Sequence, residues 1–393
     1  MIHIARPQDC CGCTACFSIC NHDAIIMKSD VLGFLYPEVD DSKCIKCGLC
    51  LKVCQFHDNY KRYDNYNLFY VYKHRLKNLD QLKRSQSGGA FFAIAKSVLN
   101  NDGIVVGAAF DNIWNVTHQI VTNTDDLERL RMSKYVQSDI RGCFSKIKDE
   151  LKQGKRVLFS GTACQVAGLK AYIPIKLHTN LFCVDIICHG VPSPKIWADY
   201  ITYLESHYKS KIVKACFRDK RFGWHGAKET FKFANGKEIV RKTNNYLYFS
   251  GLTLRESCTN CKFTNTNRIG DITIGDFWGL PKDSLYEKDK KGLSLLMVNS
   301  LKGEYLLNQI RNNSFIEECS INSCMQPQLK YPTSKNLKQE DFINDYAKYG
   351  FIYVANKYGD IGWRYYVKTT YLSVRAFLGR ILRYLGLRKK INV

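Results

Sequence analysis

Cys10-Cys11-Gly12-Cys13-Thr14-Ala15-Cys16-Phe17-Ser18-Ile19-Cys20 and Cys44-Ile45-Lys46-Cys47-Gly48-Leu49-Cys50-Leu51-Lys52-Val53-Cys54 each carry four cysteines at the spacing Cys-x2-Cys-x2-Cys-x3-Cys, the second run 34 residues after the first. Three thiolates within seven residues cap three irons of one cube from a single loop, whereas zinc modules draw on two separated Cys-x2-Cys pairs. A duplicated half-module holding two four-iron, four-sulfur clusters is the simplest reading.

The spacing is that of bacterial ferredoxins, in which the fourth cysteine of each run serves the other cluster. Cys54 is therefore expected to complete Cys10, Cys13 and Cys16, and Cys20 to complete Cys44, Cys47 and Cys50. Asn21 and Gln55 stand where a proline usually follows the fourth cysteine, and Cys11 lies outside the pattern as a spectator. Between the runs, Ala24–Lys28 and Phe34–Val39 read as two short strands around Ser29–Gly33. An α+β ferredoxin-like module over residues 1–57 follows, with Asp58–Asn67 as a polar linker or covering loop.

The chain has 393 residues and 18 cysteines, with no export signal or apolar run of about 18 residues read from its sequence. A cytoplasmic, reduced setting is expected, in which dense cysteine means metal and not disulfides. Lys and Arg outnumber Asp and Glu by 58 to 36, a formal charge of +22. Cluster thiolates and a bound dinucleotide would lower that excess. No nucleic-acid recognition motif accompanies it, so no nucleic-acid partner is expected.

From residue 68 to 330, strand-like and helix-like segments alternate, as in an α/β domain with a mostly parallel or mixed sheet. The expected strands are Ile104–Phe110, Val157–Ser160, Leu181–Ile187, Ile272–Ile274 and Leu293–Val298. The expected helices are Gly89–Leu99, Ser138–Lys152, Ala163–Tyr172 and Pro194–Tyr208, the last with Ser193 as N-cap. Residues 331–393 form a basic, aromatic extension. Its run from Trp363 to Lys390 reads either as a helix packed on the domain or as a peripheral membrane contact on the inner face.

Cys164, Cys188 and the pair Cys258 and Cys261 fall on loops expected at the C-terminal edge of the sheet, where α/β proteins keep their sites. Spacing alone leaves a cluster, zinc or chance open. Ser87-Gly88-Gly89 precedes an apolar helix whose free amides could receive a pyrophosphate, although the string alone favours an ordinary N-cap and turn.

Several strings together resemble one family: Ser87-Gly88-Gly89, Ser133–Ser138, Gly161–Lys170, Asp185–Ser193 and Gly270–Gly279. The chain is similar over residues 5–330 to the family of coenzyme F420 hydrogenase and dehydrogenase beta subunits, which are iron-sulfur flavoproteins. A plant relative reduces a hydroxymethyl chlorophyll, and bacterial relatives often accompany polysaccharide-synthesis genes. The resemblance implies FAD, with Ser87, Gly88, Gly89, Lys134 and Ser138 as contacts. It also implies a third [4Fe-4S] cluster on Cys164, Cys188, Cys258 and Cys261, although Ala163 replaces the family's proline.

The expectation is an FAD and [4Fe-4S] oxidoreductase in which the ferredoxin module is the electron port and the α/β domain the catalytic body. A flavin joins one-electron clusters to two-electron carriers. Ferredoxin or a hydride carrier, and a small organic substrate, are the implied partners, with a link to polysaccharide biosynthesis. Two other classes stay open: a non-catalytic electron-transfer subunit of a larger complex, and a cluster-containing sensor or nucleic-acid binder.

Overall fold

The computed structural model describes residues 1–4, 6–58, 60 and 69–362, with isolated positions 367, 370, 371 and 374. The expected linker beyond Asp58 and the basic run from Trp363 fall almost wholly outside these residues. Among them, no helix is long and apolar enough to cross a membrane.

The N-terminal region is α+β. Strands β1 (Ile25–Ser29) and β2 (Leu35–Val39) form an antiparallel hairpin, and short helices Ala15–Ile19 and Leu49–Lys52 lie within the two cysteine runs. The turn is held by Asp30 Oδ1, which accepts from the amides of Leu32 and Phe34 at 2.9 and 2.8 Å. An Asp in a turn bonds its own following backbone in this way.

The body that follows is α/β. Its strands are β3 (Tyr70–Leu76), β4 (Ile104–Phe110), β5 (Val116–Val121), β6 (Val157–Thr162), β7 (Leu181–Ile186), β8 (Ile212–Cys216), β9 (Glu229–Phe233), β10 (Glu238–Arg241), β11 (Ile272–Asp276), β12 (Ser294–Val298) and β13 (Ser314–Glu318). Eight of them make one mixed sheet in the order β13-β3-β12-β11-β7-β6-β4-β5. β4, β6, β7 and β11 are mutually parallel, and the outer strands pair antiparallel.

The parallel strands β4, β6 and β7 each open on an apolar run because both faces are covered. Val105, Leu158 and Val184 face helices Ala90–Leu99 and Leu301–Ile310, through Ile94, Val98, Leu306 and Ile310. Their neighbours Val106, Val157, Phe159 and Cys183 face helices Cys143–Lys152 and Ala163–Tyr172, through Phe144, Ile147, Val166 and Leu169. The period of two along a strand divides the residues between the layers.

The helix expected from Ser138 begins only at Cys143. Asp139 instead pairs with the edge strand β5: its amide donates to Val116 O and its carbonyl accepts from His118 N. A smaller antiparallel sheet, β10-β9-β8, packs on helices Pro194–Tyr208, Thr243–Phe249 and Gln339–Lys357 through Trp197, Tyr200, Phe231 and Phe342.

The N-terminal region shares these cores. Ala15 and Val53 pack among Phe144, Phe159 and Val166. Leu32 and Phe34 pack among Trp197, Tyr200 and Phe217.

Gly88 shows how tightly the sheet is approached. A Cβ there would stand 2.1 Å from His74 O and 2.6 Å from Ser294 N, on β3 and β12. Both neighbours are backbone in the centre of a sheet and cannot yield. Gly88→Ala is expected to destabilise by about 3 kcal/mol or more, read as a fall in thermal midpoint. A variant as stable as the parent would contradict the packing.

Candidate functional site

A cavity of about 580 Å³ opens at the C-terminal ends of β4, β6, β7 and β11. Its volume lies within the roughly 300–1,000 Å³ of small-molecule and cofactor sites, and its place is where parallel sheets keep theirs. The first turn of helix Ala90–Leu99 forms one wall. The others are the Arg131–Ser138 loop, the β6 end and the Cys188–Pro192 loop.

Of the residues singled out by sequence, Ser87, Gly89, Lys134 and Ser138 line this cavity, and Gly88 does not. Ser87 Oγ donates to Leu293 O at 2.6 Å and the Gly88 amide to Ser294 Oγ at 2.9 Å. The Gly89 amide donates to Gln86 O. The amides of Gly88 and Gly89 are thus engaged within the protein. The donors left by helix geometry are the first-turn amides of Ala90, Phe91 and Phe92.

Lys134 Nζ donates to the carbonyls of Arg131 at 2.6 Å and Arg129 at 3.0 Å. Burial pulls its amine down to about 7. Ser138 Oγ accepts from Gln165 Nε2 at 3.0 Å, and Gln165 in turn closes the capping box of Thr162 at the start of helix Ala163–Tyr172.

Gln86 was passed over in the sequence, yet it lines the cavity with both amide atoms buried and unpartnered. His189, whose loop the sequence does point to, also opens on the cavity: Nδ1 accepts from Gln328 Nε2 at 3.0 Å, which leaves the proton on Nε2, and Nε2 is buried without a partner. Tyr248 and Phe249 flank its ring at 5.4 and 5.7 Å. Arg218 and Asp276 form a buried ion pair at 2.7 Å in the wall, and Arg218 also reaches the Tyr135 hydroxyl at 3.4 Å. Buried polar atoms without partners are costly, so an amide and an imidazole left open toward one cavity fit a polar, planar ligand.

The cysteines gather in three sets. Cys54 faces Cys10, Cys13 and Cys16. Cys20 lines a small cavity with Cys44, Cys47 and Cys50. Cys164, Cys188, Cys258 and Cys261, from three separate loops, face one another. Among the described residues, no three His, Cys, Asp or Glu side chains are grouped for a single metal ion.

In the third set, burial with the charge of neighbouring thiols pushes Cys258 up to about 12 and Cys188 well above its ordinary value. Four sulfurs that disfavour one another as thiolates suit a metal centre, which deprotonates its ligands. Backbone amides already point at them: Gly190 N to Cys188 Sγ at 3.3 Å and Val191 N to Cys258 Sγ at 3.4 Å. Cys188 also lines the large cavity, so this set and the cavity share a wall.

Cys11, read as a spectator, lies between the first set and the third. Hydrogen bonds to Cys13 and Cys164, with burial, hold its thiol protonated. Gln55 Nε2 reaches both Cys11 Sγ at 3.2 Å and Cys164 O at 2.9 Å. The doubled cysteine was the one signal in the sequence that set Cys11 apart.

Residues 154–323 match the family model that describes the C terminus of the coenzyme F420 hydrogenase/dehydrogenase beta subunit, and residues 37–57 match a 4Fe-4S binding domain. The coenzyme F420-dependent sulfite reductase of Methanocaldococcus jannaschii is 24% identical over 375 residues, 90% of this chain and 54% of that protein. The F subunit of the F(420)H(2) dehydrogenase of Methanosarcina mazei is 22% identical over 207 residues, 49% of this chain and 58% of that protein. The chain thus spans little more than half the length of these curated relatives. A chain in the F420-reducing [NiFe] hydrogenase complex of Methanosarcina barkeri aligns with a TM-score of 0.45 and 17% identity, over 76% of this chain and 94% of that one. The chain is thus similar over residues 154–323 to the C-terminal part of coenzyme F420 hydrogenase/dehydrogenase beta subunits, and over residues 37–57 to 4Fe-4S binding domains.

Proposed function

We propose that this chain is an iron-sulfur electron-transfer unit with three [4Fe-4S] clusters leading to an FAD in the large cavity, and that it handles electrons for a larger redox system. The observation that carries the reading is the order of the parts. The set with Cys47 meets solvent, the set with Cys10 lies further in, Cys11 touches both Cys13 and Cys164, and Cys188 stands in the cavity wall.

In this reading Cys10, Cys13, Cys16 and Cys54 hold one cluster, and Cys20, Cys44, Cys47 and Cys50 a second. Cys164, Cys188, Cys258 and Cys261 hold the third. FAD, when bound, exchanges single electrons on one side and a hydride on the other. The chain's own residues position it: the first-turn amides of Ala90–Leu99 receive its phosphates, Gln86 supplies an amide, and His189 Nε2 donates a hydrogen bond. Tyr135, Tyr248 and Phe249 give the cavity an aromatic side against which a planar carrier would lie.

A subunit role is preferred to independent turnover of an organic substrate because one relative, 22% identical, is itself named a subunit. Anaerobic purification should give about twelve irons, matching sulfide and one flavin per chain, with the isolated chain turning over no small organic substrate. Zinc in place of iron, or four irons at most, would reject the reading. Rapid turnover of a small substrate by the chain alone would overturn the subunit role.

Gln86→Ala tests the cavity assignment. Losing a buried hydrogen-bonding amide costs about 1–3 kcal/mol, so flavin should dissociate roughly ten to a hundred times more readily. Flavin affinity equal to that of the parent would place the cofactor elsewhere.

A further inference from the structure

Arg255 is fully buried and stands where the first and third cysteine sets meet. Its Nε donates to Cys10 O at 2.7 Å. Nη1 donates to Gln137 Oε1 at 3.0 Å. Nη2 donates to Leu35 O at 2.9 Å and approaches Cys10 Sγ at 3.5 Å. The guanidinium also lies 4.2 Å from the centre of the Tyr36 ring and 5.4 Å from that of Phe34.

Its hydrogen-bond partners here are backbone carbonyls, an amide and a thiol, with no carboxylate among them. The surroundings are shaped around it, since a Cβ on Gly12 would stand 2.8 Å from Nη1. Gln137 fixes the arrangement from the other side, its Nε2 donating to Cys11 O at 2.8 Å.

Burying a cation is costly unless negative charge compensates it; no carboxylate hydrogen-bonds to Arg255, and Asp30 acts on it only through space. A [4Fe-4S]²⁺ core with four thiolates carries two negative charges, and taking up one electron makes it three. We propose that Arg255 is a shared counter-cation for the first and third cysteine sets and raises the reduction potential of the cluster held by Cys10, Cys13, Cys16 and Cys54. This rests on the reading that the set holds a [4Fe-4S] cluster, which iron and sulfide analysis of the unaltered protein tests separately. Arg255 acts as a positioning and charge-compensating residue, by favouring the more negative, one-electron-reduced state over the oxidised one.

The test is a mediator-coupled redox titration of the anaerobic holoprotein, followed by electron paramagnetic resonance, with the mediator supplying the single electron. Arg255→Gln should lower the midpoint of the inner signal by at least 59 mV, a tenfold loss in the one-electron reduction equilibrium. Arg255→Lys keeps the charge and should restore most of that loss. Gln137→Glu leaves Arg255 in place but sets a carboxylate against it, and should lower the same midpoint if Arg255→Gln fails to fold. The signal of the outer set, Cys20 with Cys44, Cys47 and Cys50, should stay unmoved throughout. Variants with full iron content and parental midpoints would overturn the proposal, as would an equal shift in the outer signal.

Discussion

Removing residues 1–56 is expected to leave a chain that does not fold, and not an isolated flavin-binding body. Ala15, Val53, Leu32 and Phe34 are buried in cores built mainly from the α/β body. Taking away Leu32 and Phe34 alone forfeits roughly 1.5–3 kcal/mol each. Arg255 would lose the carbonyls of Cys10 and Leu35 and the ring of Tyr36, which hold its guanidinium in place. Ser193 Oγ would lose Leu32 O at 2.5 Å, and Gln137 would lose Cys11 O at 2.8 Å. Against a total stability of about 5–15 kcal/mol, these losses are decisive. Size-exclusion chromatography with near-ultraviolet circular dichroism reads the result. A soluble monomer with parental tertiary signal and thermal midpoint would refute the shared core.

Cys258→Ser should cost the protein one whole cluster, about four of the twelve irons expected in the reading proposed above. Cys258 faces Cys188, Cys164 and Cys261 and accepts from Val191 N at 3.4 Å, so its sulfur lies inside the third set. A hydroxyl is a poor replacement for a thiolate at an iron-sulfur centre. The two N-terminal sets draw no ligand from this loop and should keep their iron, sulfide and resonance signals. The electron path to the cavity would be cut at its last station, so flavin should remain bound yet reduce slowly through the clusters. Retention of all twelve irons in the folded variant would remove Cys258 from the ligands.

What the sequence shows of this molecule follows the range of the interactions involved. The cysteine runs are local, and so are the apolar runs of β4, β6 and β7, whose burial on both faces leaves a continuous signature. Helix Pro194–Tyr208 was legible to the residue because Ser193 caps it, accepting from Ile196 N at 3.0 Å, and Pro194 opens it. β9 and β10 were missed although Asn235-Gly236 between them is a strong hairpin signal. The buried Glu229 and the exposed Lys232 interrupt β9, and β10 alternates exposed and buried positions, so neither reads as an apolar run. β3 and β13 were missed because their pairing partners lie far away in sequence: Tyr70 with Val298, and Leu76 with Ser314.

The site divides the same way. The Ser87-Gly88-Gly89 string drew attention to the right wall of the cavity, but the close approach that requires Gly88 is to the backbone of its own sheet. Gln86, Gln137 and Arg255 carry no motif. Each matters because the fold carries a polar group into a dry place, and burial is not written in the residue itself.

The three cysteine sets are also unequal in what water can bring to them. Cys47 is exposed, Cys10 and Cys11 are buried, and Cys164 and Cys188 are partly buried, with Cys188 on the cavity wall. Dissolved oxidants follow exposure and thiolate character, so damage enters at the outermost set and works inward. In the reading proposed above, the N-terminal region is then a sacrificial skin as well as a port, and loss of the exposed set disconnects the chain from its electron supply before oxidation reaches the inner sets.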